Sequence, residues 1–167
     1  MSHFNKSNLR TITLAYKEVS SIPSRWSEVE KDLIMIAIVG IKDIVRKAVS
    51  SVMETCKNNG INIRMLSNEG RYTAIGTAKE AGILDEKWVE KDIDYTLIEG
   101  CDFRDLCGGI IRESEDGKKQ AINNFKIVKD SLKIIFRASE EDKYILTEVL
   151  KQCGHVVAVA GSGTNDS

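Results

Sequence analysis

Amphipathic stretches that end in glycine and give way to β-branched runs recur along this chain, and the alternation predicts an α/β domain. Ile44, Val45, Ala48, Val49, Val52, Met53 and Cys56 recur at helical spacing. They predict a helix over about 44–58, stopped by Gly60. A short strand over 61–66 follows, then a turn over 67–70 and a second helix over about 71–81, stopped by Gly82. A third helix over about 140–152 buries Ile145, Leu146, Val149, Leu150 and Cys153 and ends at Gly154.

Past Gly154 the run His155-Val156-Val157-Ala158-Val159-Ala160 is continuously apolar, the pattern of a strand buried on both faces of a parallel sheet. It opens into a glycine-rich loop, 161–167, at the strand's carboxyl end, where ligands bind in open α/β sheets. Further strands are predicted at 95–98 and 132–136, at 11–16 from its alternation, and as a buried strand at 34–41. The polar stretch 111–120, with Asp116-Gly117 inside it, reads as a surface turn or excursion. The region around Pro23 is the best linker, and there is no internal repeat.

Composition narrows the function classes. With 167 residues and 42% hydrophobic content, the chain has the length and apolar mass for a real core. Lys and Arg number 24 against 25 Asp and Glu, so there is no basic field and nucleic-acid binding is not expected. The apolar run 34–41 is far below the roughly 20 residues of a spanning helix. No secretory signal opens the chain, so a cytoplasmic protein without its own membrane span is expected. Cys56, Cys101, Cys107 and Cys153 form no Cys-x-x-Cys pair, which argues against zinc and for reduced core residues at 56 and 153.

Several segments in order resemble one family. Ile36-Ala37-Ile38-Val39-Gly40-Ile41-Lys42-Asp43-Ile44-Val45-Arg46 resembles the Gly-Ile-Glu-Asp-Pro-Val-Arg segment of plasma-membrane-type P-type calcium ATPases. Cys56 to Met65 is similar to the stretch leading into that family's Thr-Gly-Asp turn, with Thr73-Ala74 through Gly82-Ile83-Leu84 following. Ile98-Glu99-Gly100 resembles its Leu-Glu-Gly segment, and Phe136 to Lys143 its Arg-Ser-Ser-Pro-x-Asp-Lys segment. Val156 to Asp166 resembles Val-Val-Ala-Val-Thr-Gly-Asp-Gly-Thr-Asn-Asp. Five ordered matches are far more specific than one glycine loop.

The resemblance implies a Rossmann-like, haloacid-dehalogenase-like phosphorylation domain over 31–167, preceded at 1–30 by a segment similar to the end of the family's nucleotide-binding domain plus a linker. In that family an aspartate in Asp-Lys-Thr-Gly-Thr becomes an aspartyl phosphate, with ATP as donor and Mg2+ held by carboxylates. This chain contains no Asp-Lys-Thr-Gly-Thr, so no catalytic nucleophile is assigned. By resemblance Ser67, Lys143, Gly161, Gly163 and Asn165 face phosphate and Asp166 faces the metal. Ser162 stands where the family has a metal-holding aspartate, and a neutral hydroxyl is a poor substitute for a carboxylate as ligand to a hard cation. Neither ATP nor Mg2+ is therefore expected to bind tightly. Ser67-Asn68-Glu69 replaces Thr-Gly-Asp, and Ile44, Lys47 and Glu140 replace prolines.

Plainer roles stand beside these. Lys143 is also an ordinary first-turn lysine, Asp43 an N-cap, Arg46 the partner of a nearby acid, and Asp166 a terminal carboxylate. In the family the nucleophile strand lies at the centre of the sheet, and here it is not encoded. Either Thr11–Tyr16 fills the vacancy or a protein partner, such as a related pump, donates a strand. Three functions compete: a catalytically silent pump fragment acting at most as a binding module, part of a complete calcium-transporting ATPase whose other domains lie outside the chain, or a small phosphatase of the same fold.

Overall fold

The computed structural model describes residues 9–21, 25–90, 95–111 and 114–161. The chain divides into two units, Met1–Ile44 and Val45–Ser167.

In the first unit β1 (Arg10–Tyr16) pairs antiparallel with β2 (Ile34–Ile41), with a bulge between Leu14 and Ala15. A single turn of helix, α1 (Trp26–Val29), lies between them in sequence. The expected buried strand at 34–41 is a strand, but Ile34, Met35, Ile36, Val39 and Ile41 are exposed. A two-stranded ribbon has no layer to cover its faces. The segment Thr11–Tyr16 is engaged with β2, in a sheet separate from that of the second unit. It does not fill the vacancy there, which removes the first of the two alternatives.

The second unit carries a parallel sheet of three strands in the order β3 (Met65–Leu66), β5 (Ile134–Phe136), β4 (Leu97–Glu99). Helices α2 (Ala48–Asn58), α3 (Arg71–Glu80), α4 (Gly100–Cys107), α5 (Glu115–Val128) and α6 (Glu140–Gln152) complete a Rossmann-like α/β unit, with a 3-10 turn at Gly108–Ile111. β5 is buried along its length because it is central and covered on both faces. Successive side chains of a strand point to opposite faces. Ile135 accordingly joins Phe103, Phe125, Leu132, Ile145 and Val149 in one core cluster, and Ile134 and Phe136 join Ala74, Ala78, Leu84 and Leu97 in another.

Gly60, Gly82 and Gly154 all have positive φ, the left-handed conformation that ends a helix and that only glycine adopts without strain. The expected helix at 44–58 starts at Ala48, after an irregular stretch 42–46. Asp43 is thus no N-cap; Lys47 holds that position and makes no side-chain cap bond. The stretch read as a surface excursion is largely α5, whose Ser114 cap accepts from the Gly117 amide. A buried face of Ala121, Phe125 and Val128 holds it. That spacing of three and four residues outweighed the turn signal of Asp116-Gly117.

The largest departure lies at 155–160. This run is extended in sequence character yet forms no strand, and Val156 and Val159 are exposed. Only Val157 packs against the larger core cluster. A strand needs a neighbour for its backbone groups, and among the described residues this run has no ladder partner.

Candidate functional site

Ser67 follows β3 and Ser139 follows β5, so in a parallel sheet both lie at the carboxyl edge, where the chain leaves the strands for helices. Backbone bonds tie the two exits together: the Ala138 amide donates to the Ser67 carbonyl at 2.8 Å and the Arg137 amide to the Glu69 carbonyl at 3.0 Å. Arg137 adopts φ 47, a left-handed conformation that turns the chain sharply from β5 toward α6. Ser67 Oγ accepts from the Glu69 amide at 3.2 Å and still has its own proton to donate.

α6 then starts with a capping box. Ser139 Oγ accepts from the Asp142 amide, and Asp142 Oδ2 accepts from the Ser139 amide at 2.7 Å. The same Oδ2 accepts from Arg104 Nη1 at 2.6 Å and from Ser139 Oγ at 3.0 Å. Arg104 Nη1 also donates to Ser139 Oγ at 3.0 Å. Asp142 is fully buried, and its Oδ1 has no partner among the described residues. Lys143, next in sequence, is half-buried.

Beside β3 runs a groove of about 980 Å³. One wall includes Leu66, Ser67 and Asn68, another Ser139, Lys143 and Leu150 of the α6 region, and a third the run His155 to Gly161. Its other end is marked by Gly60, Asn62, Arg64, Lys129 and Asp130. The Met65 and Ser67 amides bond toward β5 at 2.8 Å and 2.9 Å. By the alternation of a parallel ladder, the intervening Leu66 N–H and C=O face the other side. Among the described residues, an open strand edge and an apolar run without a ladder partner thus flank one groove.

Three of the residues assigned by resemblance, Ser67, Lys143 and Gly161, line this groove together. Ser162, Gly163, Asn165 and Asp166 lie outside the described residues. Lys143 with the Ser67 hydroxyl is a donor set for an anion, the Ser139 proton being engaged by Asp142 Oδ2, and neither side chain offers the carboxylate that a hard divalent cation prefers. At the other end, burial holds the Arg64 guanidinium below its ordinary value, with Asp130 opposing, and Arg64 Nη2 donates to the Lys129 carbonyl at 2.6 Å. Burial, then Arg64 and Lys57, likewise lower Lys133.

Sequence reasoning missed Arg104, Asp142 and Gly100. The Ser139-x-x-Asp142 spacing is a legible cap signal, whereas the Arg104 partnership spans 38 residues of sequence and follows from no local pattern. Cys107, buried in the core, is pushed up to about 12 from 9.0 by burial and, less, by Cys153. A raised folded value means that the unfolded chain loses its thiol proton first, so this group's contribution to stability is present below pH 9.0 and declines between 9.0 and about 12. Over that window Cys107→Ala should show a flatter decline of melting temperature than the parent chain. At pH 8 a maleimide should modify exposed Cys101 first, and Cys107 only on unfolding.

No protein-family profile matches the chain. The fold defines a Rossmann-like α/β domain with an open-edged parallel sheet. The chain is 36% identical over 167 residues to the plasma membrane-type calcium-transporting ATPase 8 of Arabidopsis thaliana, covering 95% of this chain and 14% of that protein. It is 36% identical over 168 residues to the plasma membrane-type calcium-transporting ATPase 5 of Oryza sativa subsp. japonica, covering 96% of this chain and 14% of that one. To the calcium-transporting ATPase PAT1 of Dictyostelium discoideum it is 33% identical over 167 residues, 99% of this chain and 13% of the relative. Over nearly its whole length the chain is thus a homologue of one segment of the plasma-membrane-type calcium-transporting ATPases. Among the described residues no helix is long and apolar enough to cross a membrane.

Proposed function

We propose that this chain is the phosphorylation-domain portion of a P-type calcium pump, haloacid-dehalogenase-like in its chemistry, and that residues 1–30 continue from the pump's nucleotide-binding domain. ATP-driven calcium transport then belongs to a larger polypeptide at the cytoplasmic face of a membrane. This stretch by itself neither hydrolyses ATP nor transports: it holds no Asp-Lys-Thr-Gly-Thr, and Ser162 weakens any hold on Mg2+. On its own it acts as an interaction module that takes a parallel strand into the groove.

One observation carries the reading: the free edge of Leu66 and the unpaired run 155–160 flank a single groove whose carboxyl end brings Ser67 and Lys143 together. A strand of about five residues, the usual length in sheets, would pair with both edges and end beside those phosphate-facing groups. Its occupant is the nucleophile-bearing strand of a pump, as the relatives extend far beyond the 14% matched here.

A synthetic peptide of about five β-branched residues followed by Asp-Lys-Thr-Gly-Thr tests this. Binding should slow amide exchange at Leu66 and over 156–160 and raise the melting temperature. A peptide that leaves those amides unprotected removes the strand-acceptor reading. Separately, incubation of the chain with labelled ATP and Mg2+ should yield no hydroxylamine-labile phosphoprotein; its appearance would overturn the claim that the chain is silent alone.

A further inference from the structure

Asp142 is the one fully buried charged residue among those described, and its single engaged oxygen joins three parts of the second unit. Arg104 reaches it from α4 at 2.6 Å, the Ser139 amide from the loop after β5 at 2.7 Å, and Asp142 itself belongs to the first turn of α6. The loop it grips is in turn bonded to the Ser67 and Glu69 carbonyls through the Ala138 and Arg137 amides. Gly100, at the start of α4, leaves the room that the carboxylate occupies: a Cβ there would stand 2.6 Å from Asp142 Oδ2.

We infer that Arg104 and Asp142 form a latch through which α4 sets the position of Ser67, Ser139 and Lys143 at the carboxyl end of the groove, so that both are positioning residues. A cap alone needs only Ser139 and Asp142. Arg104 adds a charge-assisted bond to each of them, and it comes from a different helix. Movement of α4 along its axis would draw on the carboxylate, and through it on the strand exits. The phosphate half of the test rests on the reading of Ser67 and Lys143 as phosphate-facing; the exchange half does not.

The full chain is followed by NMR, with amide exchange measured first and inorganic phosphate titrated second. In Arg104→Ala the Ser139 amide should exchange about tenfold faster or more, the loss of a charged hydrogen bond, with Ala138 following. Phosphate affinity, read at the Ser67 and Lys143 amides, should fall about threefold or more. Arg104→Lys should recover most of both, since it restores the charge, and Lys118→Ala, which removes the surface pair with Glu115, should change neither. Arg104 is a third exposed, so truncation opens no buried void; Arg104→Gln serves as a second, milder variant. Exchange at Ser139 and Ala138 that stays at the parent rate in both variants overturns the latch. If the parent's Ser67 and Lys143 amides ignore phosphate, the phosphate-facing assignment falls alone.

Discussion

Truncating Phe125 to alanine should destabilise the second unit by about 3–5 kcal/mol, the usual cost of removing a buried aromatic ring and leaving its cavity. Phe125 has no exposed surface and packs in the cluster with Phe103, Cys107, Ile135, Ile145 and Val149, drawn from α4, β5 and α6. No single neighbour can move to fill the space without leaving its own contacts, so little relaxation is available. The expected drop in melting temperature is about 10 °C or more. Ile127, two residues on along the same helix, is 67% exposed, and its truncation should change stability by about 0.5 kcal/mol or less. Circular dichroism melts of both variants test the contrast. Equal melting temperatures would mean that α5 does not dock on the sheet through this face.

That helix also marks where sequence reading stopped. The helices ending at Gly60 and Gly154 were legible because an apolar stripe and a left-handed glycine agree at their carboxyl ends, and the helix over 71–80, which lacks such a stripe, was bounded by its preceding turn and Gly82. α5 has the stripe, but polar residues dominate its first turns and its Asp116-Gly117 pair imitates a turn. The alternation at 11–16 and the apolar run at 34–41 identified strands without saying what would cover them, and here most of their side chains are exposed.

The run 155–160 shows the same limit more sharply. Its apolar character is that of a doubly buried strand, and that expectation assumed a neighbour in the sheet. Hydrophobicity marks a segment as fit for burial, whereas strand structure also requires backbone partners. Of the residues assigned by resemblance, Ser67 and Lys143 line one groove, because their neighbours in sequence fix them beyond the ends of adjacent parallel strands. The groups that hold those exits, Arg104 and Asp142, depend on a contact between distant elements. A buried carboxylate looks unfavourable until its partner is known.

Gly100→Ala should cost about 3 kcal/mol, which is large for the addition of one methyl group, because none of the atoms it meets can yield. The new carbon would stand 2.6 Å from Asp142 Oδ2, 2.8 Å from the Arg137 carbonyl oxygen and 3.3 Å from Ala138 Cα. The first is fixed by Arg104 and Ser139, and the second belongs to a residue already held at φ 47 with its amide bonded to Glu69. Relief therefore requires breaking charge-assisted bonds or shifting the entrance of α6. Gly108 is the control: it already has right-handed helical φ and ψ and a Cβ there meets nothing within 4 Å, so Gly108→Ala should be nearly neutral. The source of the cost can be isolated in a double-mutant cycle. In an Asp142→Ala background the carboxylate contact is gone, and Gly100→Ala should cost less by about 1 kcal/mol or more, leaving the clash with the Arg137 carbonyl. Additive penalties in denaturant titrations would show that the two positions do not compete for the same space.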